Sequence, residues 1–388
     1  MKQTMFLLLV ASFVVVFSTT GFQCGSAEIT SAKLYMQQKQ WEKAEQSLLK
    51  ELDKNDKNEE AWYLLGQTRL EMKNYKGMNE AYGKALTVSD AHKGEITRNR
   101  LAIWGQLYNE GVGVYNKGKE DPANYNLAIQ KFTTAISLQP ESAGTYYVAA
   151  LAYYATKDNE SATGALETAL EKNPKFADAA RFLGQLRSMK ANELSRIDSV
   201  AAQKEYVAAA DAFETVYGED PTDSDNITSL IDAYERAGMS EKAMALTKNA
   251  VETDPNNKVF RYAYGVFLLK QDDFEGSIAQ FEKAVEIDPD YSDAVYNLGV
   301  AYLNWGVTLK NKEDQKAEEA ARKGRNAKMD KTFQDKFRAA VPHLEKAAEQ
   351  RPDDALLWQQ LGRVYANLNM VEKSKAAFEK FDAIMKGK

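Results

Sequence analysis

Of the 388 residues only one is cysteine, two are histidine and eight are proline. The lone Cys24 excludes an internal disulfide, and His92 and His343 stand far apart in the chain, so the sequence offers no metal cluster and no histidine-assisted nucleophile. No GxxxxGKS/T phosphate loop is present. Gly111-Val112-Gly113 falls within a helix-like stretch rather than after a strand. Carboxylates are plentiful, but none stands in an apolar context that would raise its pKa. The formal net charge of −6 argues against a general affinity for nucleic acid. These absences point to a non-catalytic chain with no cofactor, no bound metal and no small-molecule substrate.

The prolines that are present are periodic. Pro140 to Pro174, Pro221 to Pro255 and Pro255 to Pro289 are equal steps, while Pro174 to Pro221 and Pro289 to Pro352 are longer ones. The common step is about 34 residues, the length of one helical hairpin, which cannot bury its apolar face alone and must stack on copies of itself. Residues five, eight and twelve before each proline repeat a pattern of small, large and small: Ala169, Leu166 and Ala162; Ala284, Phe281 and Ser277; Ala135, Phe132 and Ala128; Ala347, Leu344 and Ala340. Before Pro255 the set is Ala250, Thr247 and Ala243. Small residues let helices cross closely, a larger one fills the space between them, and proline cannot continue the helix. The first helix of several units carries its own signature, as in Trp62-Tyr-Leu-Leu-Gly66, Tyr296-Asn-Leu-Gly299 and Trp358-Gln-Gln-Leu-Gly362, with Tyr302 and Tyr365 further along.

With these motifs the chain resembles a tetratricopeptide repeat protein, of the kind found among bacterial lipoproteins. The resemblance covers nearly everything after the first two dozen residues. It implies an all-α, right-handed helical-hairpin solenoid of about nine units spanning 28–388. The longer steps, from Asp90 to Pro140, Pro174 to Pro221 and Pro289 to Pro352, enlarge units three, five and eight near 101–124, 189–206 and 305–337. The composition of these additions is helical, which predicts lengthened helices along one edge. The last addition, Lys310 to Arg338, carries ten Lys or Arg against six Asp or Glu. It reads either as an arm for an anionic partner or as a solvated helical hairpin.

In the family the first helices line a concave groove, and the fifth residue of each unit points into it. By that correspondence Tyr63, Tyr147, Tyr262 and Tyr296, with Tyr154 two turns further on, form a partner groove. Tyrosine suits peptide recognition because it joins apolar area to a polar tip at low rotamer entropy. The same rings could instead pack against the next unit. The family's carboxylate clamp of Lys and Asn is absent, since Tyr63 and Gln67, Tyr262 and Val266, and Leu356 and Gln360 stand in its places.

The N-terminus carries Lys2 and then the uncharged apolar run Met5–Phe17, shorter than the roughly 20 residues of a spanning helix. It reads as a signal peptide over residues 1–23, with a retained anchor as the competing reading. Residues 24–27 form a short tether. Cys24 resembles the acylated cysteine of bacterial lipoproteins, although Gly21-Phe22-Gln23 departs from the usual lipobox; cleavage at Gly25-Ser26-Ala27 is the alternative. Either processing places the mature chain outside the cytoplasm, in the periplasm or anchored to the outer membrane of a bacterial envelope. The expected role is a scaffold that binds protein or peptide partners in envelope assembly or secretion. The alternative is a structural subunit docked through its extended edge helices.

Overall fold

The computed structural model describes residues 26–324 and 330–387. The leader and Cys24 lie outside the described residues. The chain forms two compact units, one ending at residue 165 and the other beginning at 166. The first holds α1 (Ala27–Gln37), α2 (Trp41–Lys54), α3 (Glu59–Glu71), α4 (Tyr75–Val88), α5 (Lys93–Asn116), α6 (Ala123–Leu138), α7 (Ala143–Ala155) and the start of α8 (Asn159–Lys172). The second holds the end of α8, then α9 (Ala177–Leu194), α10 (Ser199–Glu219), α11 (Ser224–Arg236), α12 (Ser240–Thr253), α13 (Lys258–Lys270), α14 (Phe274–Ile287), α15 (Ser292–Arg322), α16 (Thr332–Gln350), α17 (Ala355–Asn367) and α18 (Val371–Lys386). No strand occurs among the described residues.

The hairpins repeat the same local chemistry. Asn58, Asp223, Asn257 and Asp354 lie at one register of the repeat, and each caps a first helix by accepting from the backbone N–H of Ala61, Asn226, Val259 and Leu357 respectively. Such caps contribute roughly 0.5–2 kcal/mol each. The turn into the second helix needs one left-handed residue, supplied by Lys73, Lys157, Gly238, Asp272 and Asn369 with φ between 58° and 78°. The next N–H then reaches back to the closing turn of the helix, as Asn74 does to Arg69 O at 2.9 Å. A third constant tie sits just inside the first helix. There Trp62, Arg261 and Trp358 donate to the carbonyl oxygens of Asp56, Pro255 and Pro352 at 2.8, 2.9 and 2.8 Å.

The small and large residues counted back from the prolines are the interior: Phe132, Phe281, Leu344 and their flanking alanines are fully buried. Each large ring of a second helix rests on a glycine of the first. A Cβ built at Gly66 would lie 2.3 Å from the Tyr82 ring; at Gly111, 2.4 Å from Phe132; at Gly184, 2.6 Å from Phe213; at Gly265, 2.6 Å from Phe281; and at Gly362, 2.8 Å from Phe378. In α5 the glycine of the first-helix signature is Gly111. In the α11/α12 hairpin the sizes are exchanged, with Ile231 on the first helix and Thr247 on the second, both buried.

The lengthening predicted for three hairpins is present. Regular helices have 13 or 14 residues, whereas α5 has 24, α9 has 18, α10 has 21, α15 has 31 and α16 has 19. The long α15/α16 pair is held by two successive locks, Gly299 against Leu344 and Gly306 against Phe337. Pro342 lies in the middle of α16, and the His343 that follows it is half-buried with its ring stacked on Tyr302, 6.0 Å between centroids. Burial lowers its pKa.

Successive hairpins of the second unit are tied by a repeated acid and tyrosine. Tyr234, Tyr302 and Tyr365 donate to Glu214, Glu282 and Glu345, each from the second helix of the preceding hairpin. Lys242 and Lys373 complete two of these sites, bonding Glu214 at 2.8 Å and Glu345 at 3.1 Å while lying over the tyrosine rings. Desolvation first, and then the bond to Glu282, pushes Tyr302 up to about 12. These phenols stay protonated donors at any ordinary pH.

Candidate partner-binding surface

A stripe of side chains spaced three or four residues apart runs along one side of each first helix. In the second unit the stripes read Asp178, Arg181, Gln185 and Ser188 on α9; Asp225, Thr228, Asp232 and Glu235 on α11; Val259, Tyr262, Val266 and Leu269 on α13; and Asp293, Tyr296 and Val300 on α15. Neighbouring first helices touch, α13 against α15 and α15 against α17. Side chains bridge them: Asn297 Nδ2 donates to Tyr262 Oη at 3.0 Å, and Lys270 of α13 pairs with Glu235 of α11 at 2.5 Å.

Tyr262 and Tyr296 belong to this surface and are half-buried. The Tyr262 ring packs on Tyr291 and Phe281 at centroid distances of 5.2 and 5.9 Å. Its phenol is raised by burial first, then by the nearby carboxylate of Asp293. Tyr296 lies under the Arg351 guanidinium, 4.9 Å from ring centroid to carbon. Arg351 also reaches Asp293 Oδ1 at 3.1 Å and the carbonyl of Ser292 at 3.3 Å, so the ring is flanked by a fixed cation. In the first unit Tyr147 is half-buried and Tyr154 is 40% exposed.

Tyr63 is a correction. It is only 8% exposed, stacked on His92 at 3.8 Å with Tyr82 at 6.1 Å, and burial pushes its phenol up to about 12. The cause is local: α5 begins immediately after His92, whose Nδ1 bonds Glu59 at 2.9 Å, and this holds the imidazole flat over the Tyr63 ring. Tyr63 therefore serves the interior of the first unit and not an open surface.

Two features of the surface escaped the sequence reading. Arg351 ends α16, far in sequence from Tyr296, and no local pattern announces the pair. Asn226 occupies the register of Ala61, Thr145, Ala179, Phe260, Ala294 and Leu357, a position that is interior in every case; here the only signal was an amide standing where most units have an apolar residue. Among the described residues no group of His, Cys, Asp or Glu is arranged to hold a metal ion, and no helix is long and apolar enough to cross a membrane.

Models of the tetratricopeptide repeat match residues 59–92, 122–186, 200–265 and 355–384, and a TPR repeat model matches 268–306. Among curated proteins, the peroxisomal targeting signal receptor of Candida albicans is 25% identical over an alignment of 191 residues, the match covering 37% of this chain and 32% of that protein. The match thus spans about a third of that relative's length. Among solved structures, YrrB, described as a TPR protein with an unusual peptide-binding site, is 22% identical with a TM-score of 0.42, over 59% of this chain and 96% of that one. MamA is 18% identical with a TM-score of 0.38, over 49% and 94%. MamA 41-end from Desulfovibrio magneticus RS-1 is 18% identical with a TM-score of 0.37, over 49% and 97%.

Proposed function

Because this chain belongs to the tetratricopeptide repeat family, whose members hold other proteins, we propose that it is a non-catalytic scaffold binding extended peptide segments of its partners on first helices: on Tyr262 and Tyr296 within the second unit and, as a separate surface, on Tyr147 and Tyr154 within the first. One observation carries this reading: Tyr262, Val266, Tyr296 and Val300 form a half-buried apolar strip on adjacent helices, flanked by the hydrogen-bonding groups of Asn297 and Arg351. Half-buried aromatics with fixed polar neighbours give a partner both area and register without ordering new side chains.

We place the protein outside the cytoplasm, in a bacterial envelope, on the strength of the Met5–Phe17 run and Cys24, and take acylation of Cys24 as its membrane attachment. More than one acyl chain gives stable anchoring. Envelope assembly or secretion is the process we assign. Labelling intact cells with a fatty-acid probe should mark the wild-type chain and leave Cys24→Ser unmarked; label retained on the variant would refute the attachment.

The groove is tested by crosslinking and recovery of partners from intact cells. Tyr262→Ala with Tyr296→Ala should lower partner recovery at least tenfold while the helical circular dichroism spectrum is preserved. Unchanged recovery sinks the groove. A second reading, docking through the lengthened hairpins, is favoured by Ile197 and Val200 at the α9/α10 turn, 85% and 62% exposed. It predicts the reverse: recovery survives the tyrosine changes and is lost on Ile197→Ser with Val200→Ser, or on trimming residues 310–336.

A further inference from the structure

Between α9 and α11 lies a cavity of about 350 Å³ lined by Arg181, Gln185, Asp223, Asp225, Asn226 and Ser229, with Phe213 beside them. Its polar groups are unevenly used. Arg181 pairs with Asp223 at 2.6 Å, and Asp223 also accepts from the Asn226 backbone N–H at 3.0 Å. Ser229 Oγ donates to the Asp225 backbone carbonyl at 2.9 Å, leaving its lone pairs. The Asp225 carboxylate is exposed and has no ion pair among the described residues. Asn226 is 1% exposed; its Nδ2 donates to Phe213 O at 3.1 Å, but its Oδ1 is buried without a donor. An orphaned buried acceptor is destabilising, and alanine fills the same register at 61, 179 and 294 without that cost.

The only donors free of a carboxylate in the lining are those of the exposed Gln185 amide, and acceptors are in excess. Its one cation is already paired with Asp223, so Asp225, in the first turn of α11, leaves the lining with one carboxylate in excess. An anion would meet that carboxylate, and an apolar group would leave Asn226 Oδ1 unsatisfied. A group that both donates and carries positive charge answers both demands. We propose that this cavity seats a lysine or arginine side chain of the bound peptide, with Asn226 Oδ1 and the Asp225 carboxylate as its acceptors; this rests on the groove reading above.

The neighbouring stripes set the chemistry on either side of the cation. On α11, Asp225 is continued by Asp232 and Glu235, whose partners Arg236 and Lys270 hold them in solvent-exposed pairs of the kind a ligand cation can replace. On α13 and α15 the stripe turns apolar at Tyr262, Val266, Tyr296 and Val300. Packed helices stand about 8–10 Å apart and an extended chain advances about 3.3 Å per residue. The peptide should therefore carry a bulky apolar residue about three to five positions from its cation.

The test is selection from a displayed library of random twelve-residue peptides against the whole mature chain, followed by anisotropy titration of the selected peptides. Recovered sequences should be enriched at least tenfold in Lys or Arg at that offset from an aromatic or branched residue. Asp225→Asn, an exposed isosteric change, and Asn226→Leu should each abolish that enrichment while the apolar preference remains. In the wild type, norleucine in place of the lysine should weaken binding at least tenfold, and added salt should weaken only the cationic peptides. Apolar peptides selected without a cation, or cation enrichment that survives both variants, overturn the cavity assignment and leave the groove standing. Peptides whose binding is indifferent to Tyr262→Ala and Tyr296→Ala overturn the groove, and the cavity assignment with it.

Discussion

Gly265→Leu is expected to destabilise the second unit by about 3 kcal/mol, at the upper end of the range for overpacked cores. The Cβ alone would stand 2.6 Å from Cε1 of Phe281, and the ring is fully buried, so it cannot swing aside into solvent. Ile278, Leu298 and Ala301 close the same cluster, and movement of the ring would displace them in turn. Since a repeat protein is stabilised by each hairpin and its contacts with the next, the loss should spread into α15 and not stay within α13 and α14. Urea titration followed by circular dichroism would read the loss, and amide hydrogen exchange would place it. Adding Phe281→Ala to Gly265→Leu should recover a substantial part of the stability by opening room for the new side chain. As a contrast, Gly105 in α5 has no neighbour within 4 Å of an added methyl, so Gly105→Ala should stabilise by about 0.5–1 kcal/mol through helix propensity alone. If Gly265→Leu proves as stable as the wild type, the glycine is not where the helices meet.

Thr247→Phe should fail for a related reason and be rescued in a different way. In the α11/α12 hairpin Ile231 and Thr247 take the registers that glycine and a large residue hold elsewhere, so the sizes are exchanged across the pair. Thr247 is fully buried and its Oγ1 donates to Ala243 O at 2.7 Å. Phenylalanine there would meet the Ile231 side chain and cost about 2–3 kcal/mol. Ile231→Gly alone should cost at least as much, since it empties part of a cluster that holds Leu230, Tyr234 and Phe260 and places glycine inside a helix. The double variant restores the arrangement found at Gly265 and Phe281. It should be more stable than the sum of the single changes by about 2 kcal/mol, an interaction energy expected only of residues in contact. Strict additivity would show that the two side chains do not share one space.

The interior was legible in the sequence because every hairpin solves the same packing problem with the same residues. Phe132, Phe281 and Leu344 could be counted back from a proline, since helix geometry ties register to burial without reference to distant chain. The lengthened α5, α10 and α15 were legible for the same reason, as departures from a period. The surface was not. Tyr63 and Tyr262 share one register, yet His92 stacks flat on the first at 3.8 Å, whereas Tyr291 meets the second tilted at 5.2 Å and leaves it half-open. Tyr296 acquires its cation from Arg351 at the far end of the partner helix, and Asn226 becomes significant only once its carbonyl is found without a donor.

By itself, then, the order of residues determined that this chain is a stack of helical hairpins, which faces are buried and where the hairpins lengthen, because those follow from spacings within one hairpin. Tertiary structure alone decided which tyrosines remain available, which charges are already paired and which polar group is left wanting. Availability depends on what the next hairpin lays over a side chain, and that is a property of the contact between hairpins and not of either sequence.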